Sequence, residues 1–159
     1  IGLGLMQYSQ DYDEKAIPDW NDINNWAYLV QPYVKSEQLF TCPSASDLKP
    51  LPLTNLWADL GSSGAYSMNL AYAPGSDNMT PPTSVSWAGD TRSLASFEAP
   101  ATTVWVVEST GLPWCYWDDT SNDPDGITAG EPRTLAGSEG TVVERHLSTT
   151  NVLWCDGHV

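Results

Sequence analysis

The sequence predicts an α+β fold, with an N-terminal helix packed on an antiparallel β-sheet, and three observations predict it. Apolar residues at helical spacing are confined to the start of the chain, short β-branched and aromatic runs dominate after Val85, and Asp156-Gly157 supplies a hairpin turn near the end. At 159 residues the chain fits one domain, 1–159, with a core of its own.

Ile1, Leu5, Tyr8 and Tyr12 form one stripe, so a first helix is expected over about 1–15. It stops before Ile17-Pro18, because a residue preceding proline is pushed out of the helical region. No N-cap residue precedes the stripe, which places the helix start upstream of Ile1. A second helix is expected over about 22–34. Asn21 or Asp22 caps it, Ile23, Trp26, Ala27, Val30 and Val34 share one face, and Pro32 kinks it or ends it early. The Pro-, Ser-, Gly- and Asn-rich stretch 41–83 reads as irregular structure with a short strand around Tyr66 to Leu70.

A β-rich part, about 85–159, contains candidate strands at 85–88, 103–108, 114–117, 141–145 and 151–155. In the second of these, Val104 and Val106 alternate against Trp105 and Val107. Asp156-Gly157 should then form a type I′ turn, with His158 and Val159 opening a return strand that is at once cut off.

Twenty acidic residues against six basic ones give a net charge of −14, and the basic residues are scattered singly. Nucleic-acid and anionic-membrane surfaces need clustered Lys and Arg, so the charge argues against both as partners. A charge of this size opposes compaction, which points to a bound divalent cation or a partner surface. No stretch has the apolar length of a transmembrane span. Eight tryptophans and seven tyrosines suit an extracellular β-rich domain.

His146 stands ten positions before Asp156-Gly157, giving His-x9-Asp-Gly. Upstream, in order, come Leu29-Val30-Gln31-Pro32-Tyr33-Val34-Lys35, Phe40-Thr41-Cys42-Pro43-Ser44, Ala65-Tyr66-Ser67-Met68-Asn69 and Ala99-Pro100-Ala101-Thr102-Thr103-Val104. With the amphipathic start and the C-terminal motif, these patches touch about a third of the chain. Their order resembles a bacterial family of type IV pilin-like, or pseudopilin-like, proteins that carry a prepilin-type N-terminal helix and a C-terminal His-x9-Asp-Gly motif. The chain departs from that pattern where the family has small residues after the histidine and this sequence has Leu147-Ser148-Thr149-Thr150, and in lacking the membrane-embedded helix.

The resemblance implies a pilin-like fold and a non-enzymatic, exported structural subunit, extracellular or at the cell surface, in a pilus-like or type II secretion pseudopilus-like filament. Its partners would be copies of itself or related pilin-like subunits, with the membrane reached only through an N-terminal helix outside this chain. His146, Asp156 and Gly157 would be structural motif residues. For an exported product, three cysteines without C-x-x-C spacing suggest one bridge and one leftover thiol. Cys115 and Cys155 lie in strand-like runs expected to be adjacent, and are the expected disulfide. Family members often carry a cysteine shortly upstream of this start, which would pair with Cys42. The alternative is that all three are small buried hydrophobes.

Two constellations could carry chemistry. Asp119, Ser121, Asp123 and Asp125, followed by Gly126, alternate as in the first half of a calcium loop, with no glutamate to close the second half. Calcium is the expected cofactor, against the alternative of a solvated acidic turn; calcium in a C-terminal loop also occurs in pseudopilin relatives. Beside it, Trp114, Tyr116 and Trp117 could stack carbohydrate, so a calcium-dependent carbohydrate-binding or adhesive module is the rival function. His146 could work with Asp156 or Glu144 in a hydrolase. With no nucleophile elbow in the sequence, however, it reads instead as a strand-end histidine hydrogen-bonded to the hairpin that follows.

Overall fold

The computed structural model describes residues 1–18, 20–21, 24–46, 48, 64–69, 93–110, 113–115 and 141–159. The candidate strand at 85–88 and the calcium stretch Asp119, Ser121, Asp123, Asp125 lie outside them, as do Tyr116 and Trp117. Helix α1 spans Gly2–Asp11 and α2 spans Trp26–Val34. The strands are β1 Trp20–Asn21, β2 Asn24–Asn25, β3 Tyr66–Asn69, β4 Val104–Thr110, β5 Trp114–Cys115, β6 Thr141–Val142 and β7 Val152–Trp154. Helices packed on a largely antiparallel sheet make the architecture α+β, as expected.

Helix α1 ends sooner than its apolar stripe suggests. Asp13 and Glu14 both take a left-handed φ of 55°, and the Glu14 N–H bonds back to the Ser9 carbonyl at 2.8 Å. The chain then bridges across the fold, where Leu94 N–H donates to the Glu14 carbonyl at 2.8 Å. Helix α2 begins later than expected because β1 and β2 form a small antiparallel pair just before it. Its cap is Asn25, whose side-chain oxygen accepts the Tyr28 N–H at 3.1 Å. Pro32 does not end α2. It lies on the exposed side, where water can meet a carbonyl left without its helical donor, and the helix runs to Val34 before Lys35 turns left-handed at φ 57°.

The two helices approach closely because α1 offers a glycine at the crossing. A Cβ at Gly4 would stand 2.6 Å from Val34 Cγ2 and 3.0 Å from Val30 Cγ2, inside contact distance. At the start of the same helix, a Cβ at Gly2 would stand 2.8 Å from Leu153 Cδ1, so α1 also lies against β7. Leu5, Tyr8, Trp26, Val30, Phe40, Met68, Trp105, Val106 and Leu153 share the resulting core. Trp26 is fully buried, and its indole N–H donates to the Pro113 carbonyl at 2.7 Å. That carbonyl also accepts the Met68 N–H at 2.8 Å, so a single oxygen links α2, β3 and the lead into β5.

In the sheet, β4 is flanked by β3 on one side and by β6 and β7 on the other, all antiparallel to it; β5 runs parallel to β3 on the far edge. This order corrects the expected Cys115–Cys155 disulfide. Cys115 on β5 and Cys155 after β7 are separated by β3 and β4, three strand spacings or about 14 Å, whereas a bridge needs Cα atoms within about 7 Å. All three cysteines are buried free thiols. Burial pushes the Cys155 thiol up to about 12, with the nearby Asp156 charge adding to it, and burial raises Cys115 further still.

The C-terminal turn also differs from expectation. Of Cys155, Asp156 and Gly157, only Gly157 has positive φ, at 93°. Gly157 N–H bonds to the Trp154 carbonyl at 2.9 Å and Trp154 N–H to the His158 carbonyl at 3.0 Å. This is a three-residue hairpin loop with a single left-handed glycine, not a type I′ turn. The pair of left-handed residues lies earlier, at Leu147 and Ser148, with φ 54° and 64°. His146 and Thr149 exchange backbone hydrogen bonds across them, both at 3.1 Å. Leu147 is fully exposed.

Candidate functional site

The run Val104 to Thr110 sets a carboxylate in an otherwise apolar and hydroxylic strand. Because β4 is covered by strands on both edges, Glu108 is 0% exposed. A buried carboxylate survives only with partners. Oε1 of Glu108 lies 2.7 Å from Nε2 of His146, and Oε2 accepts the Asn151 N–H at 3.1 Å. The backbone of Glu108 is occupied as well, its N–H donating to the Asn151 carbonyl at 3.2 Å and its carbonyl accepting the Val143 N–H at 3.3 Å. Burial pushes the Glu108 carboxyl up, but the hydrogen bonds from Asn151 and His146 outweigh it and hold the group below the ordinary glutamate range.

His146 is delivered to this carboxylate by the left-handed turn at Leu147-Ser148, which reverses the chain between β6 and β7. Its side chain is 37% exposed, so the ring closes the buried pocket at the surface. The third member comes from the other end of the chain. After a 3-10 turn at Glu37–Phe40, Cys42 opens a tight turn in which Ala45 N–H bonds to the Cys42 carbonyl at 2.9 Å. Cys42 packs with Ala45 and Ala65 and is 2% exposed, and its Sγ lies 3.6 Å from His146 Nε2. Tyr66, the cross-strand partner of Glu108, packs against the same small cluster. On this corner Arg145 donates from Nη1 to the Ala65 carbonyl at 3.4 Å.

The sequence-expected motif residues therefore fall at two places. His146 joins Glu108 and Cys42. Asp156 instead binds its own hairpin, its Oδ1 standing 2.6 Å from His158 Nδ1 and accepting the His158 N–H at 3.2 Å. These hydrogen bonds hold the Asp156 carboxyl below its ordinary range, and the His158 ring stacks on Trp154 at 5.6 Å. The carboxylate beside His146 is thus neither Asp156 nor Glu144. No local pattern ties Glu108 or Cys42 to His146, although a glutamate within Val-Trp-Val-Val-Glu-Ser-Thr is the kind of buried charge that signals a partner.

The arrangement is not a nucleophile relay. In a relay the orienting carboxylate binds one ring nitrogen and the nucleophile the other. Here Glu108 and Cys42 both converge on Nε2 of His146. No family model, curated protein or solved structure matches the chain.

Proposed function

We propose that this chain is a non-enzymatic, exported, pilin-like structural subunit of a pilus-like or pseudopilus-like extracellular filament, assembling through contacts between its own copies or with related subunits. The motif order and amphipathic start motivate the reading. The observation that carries it is an apolar surface at the N-terminal end of α1. Leu3 is 83% exposed on the helix, and Leu39 at 51% and Val159 at 81% border a groove of about 260 Å³. Ile1, Gly2, Val152 and Leu153 line the same groove. Large apolar side chains left exposed on the helix and around this groove favour a protein contact. Among the described residues, no helix is long and apolar enough to cross a membrane.

Light scattering across a wide concentration range, with electron microscopy of the same material, tests this reading. Concentration-dependent growth that is suppressed in Leu3→Asp and in Val159→Lys supports it. A strict monomer at every concentration contradicts it.

A further inference from the structure

Beyond the structural reading, and independent of it, we propose that Cys42, Glu108 and His146 form a binding site for one divalent transition-metal ion of zinc type. Sγ of Cys42, a carboxylate oxygen of Glu108 and a ring nitrogen of His146 all lie within 4.8 Å of one another. They come from three distant parts of the chain, and two of the three are almost completely buried.

The distances suit a shared ion. With metal–sulfur and metal–nitrogen bonds of about 2.3 and 2.0 Å at tetrahedral angles, sulfur and nitrogen should stand roughly 3.5 Å apart. Cys42 Sγ and His146 Nε2 are 3.6 Å apart. The His146–Glu108 separation of 2.7 Å is a direct hydrogen bond, and it must open to roughly 3.3 Å when a metal replaces the intervening proton. His146 can make that movement because its ring is part-exposed at the rim, which also gives the ion a path in. The second carboxylate oxygen is tied to the Asn151 backbone, so Glu108 is already oriented with Oε1 toward the metal position.

The donor set selects the metal. Thiolate and imidazole favour zinc-type ions over calcium or magnesium, which take oxygen ligands. One thiolate and one carboxylate supply two negative charges against a divalent cation. Three protein ligands leave a fourth position for water or another ligand. On binding, the Cys42 thiol proton leaves to solvent, and the proton on His146 Nε2 is lost or moves to Nδ1, so that sulfur and nitrogen donate lone pairs to the ion. No redox change is involved.

The test uses the whole chain, stripped with chelator and titrated with Co²⁺ and with Zn²⁺ separately. Co²⁺ should bind one per chain and give an ultraviolet thiolate-to-cobalt charge-transfer band with the intense visible bands of four-coordination, and Zn²⁺ should displace it. Cys42→Ser should abolish the charge-transfer band, whereas Cys115→Ala and Cys155→Ala should keep it. His146→Gln and Glu108→Gln should weaken Co²⁺ binding at least tenfold. Circular dichroism verifies that each variant is folded, and Cys42→Ser, the mildest change, decides the matter if Glu108→Gln is not. Absence of the charge-transfer band in the folded wild-type chain, or its persistence in Cys42→Ser, overturns the proposal.

Discussion

Two histidine–carboxylate pairs stand near the end of this chain, and they differ in almost everything except distance. His146 meets Glu108 at 2.7 Å and His158 meets Asp156 at 2.6 Å. Glu108 belongs to the central strand, is fully buried and lies 38 residues from its histidine in sequence; Asp156 is exposed, two residues from its partner and within one hairpin. Near-equal distances therefore conceal unequal consequences. A buried carboxylate has no water to fall back on, so its partners decide whether the strand can hold it. An exposed one exchanges a protein partner for solvent at little cost. The turns beside the two pairs differ as well. Gly157 takes its positive φ without a Cβ clash, whereas Leu147 and Ser148 take theirs with one.

The largest effect is expected from Glu108→Gln, which keeps the shape and removes the charge. It should destabilise the chain by about 2 kcal/mol in chemical denaturation, the usual magnitude for losing charge-assisted hydrogen bonds in a buried site. Because the folded state holds the Glu108 carboxyl below its ordinary value, its contribution is complete above about pH 4.3, the unfolded glutamate value, and is lost as pH falls through the lower folded value. Wild type and Glu108→Gln should therefore differ most at neutral pH and converge on acidification. A gap that stays constant down to acid would mean that ionisation of Glu108 adds nothing to stability.

Smaller effects follow at the turns. Gly157→Ala should cost about 1 kcal/mol through its φ of 93° alone, since the nearest atom to a new Cβ is Met6 Cε at an ordinary 3.7 Å. Leu147→Gly should do the reverse and stabilise by roughly 0.5 kcal/mol, the relieved strain being partly offset by the greater freedom of glycine in the unfolded chain. Thermal or urea denaturation reads both. Asp156→Asn, at the exposed pair, should leave the melting temperature within experimental scatter, and a large loss there would mean that local pairing counts for more than burial.

Much of the fold was legible because its signals are local. The stripe Ile1, Leu5, Tyr8 marks α1, and the β-branched and aromatic runs mark β4 and β7. The boundaries slipped where distant segments intervened: the bridge from Glu14 to Leu94 follows the early end of α1, and the β1–β2 pair shifts the cap of α2 to Asn25. The expected disulfide failed because sequence places Cys115 and Cys155 in strands without saying that β3 and β4 lie between them. The site around His146 was half legible. Its histidine stood out by motif spacing, but Cys42 reaches it across 104 residues and Glu108 across 38, separations that no local pattern encodes.

A double-mutant cycle measures how strongly each pair is coupled: Glu108→Gln and His146→Gln, singly and together, in parallel with Asp156→Asn and His158→Gln. Burial of one partner and part-exposure of the other predict a coupling of about 1–2 kcal/mol between Glu108 and His146, and no measurable coupling in the exposed pair. Equal coupling in the two cycles, or none between Glu108 and His146, would contradict the account.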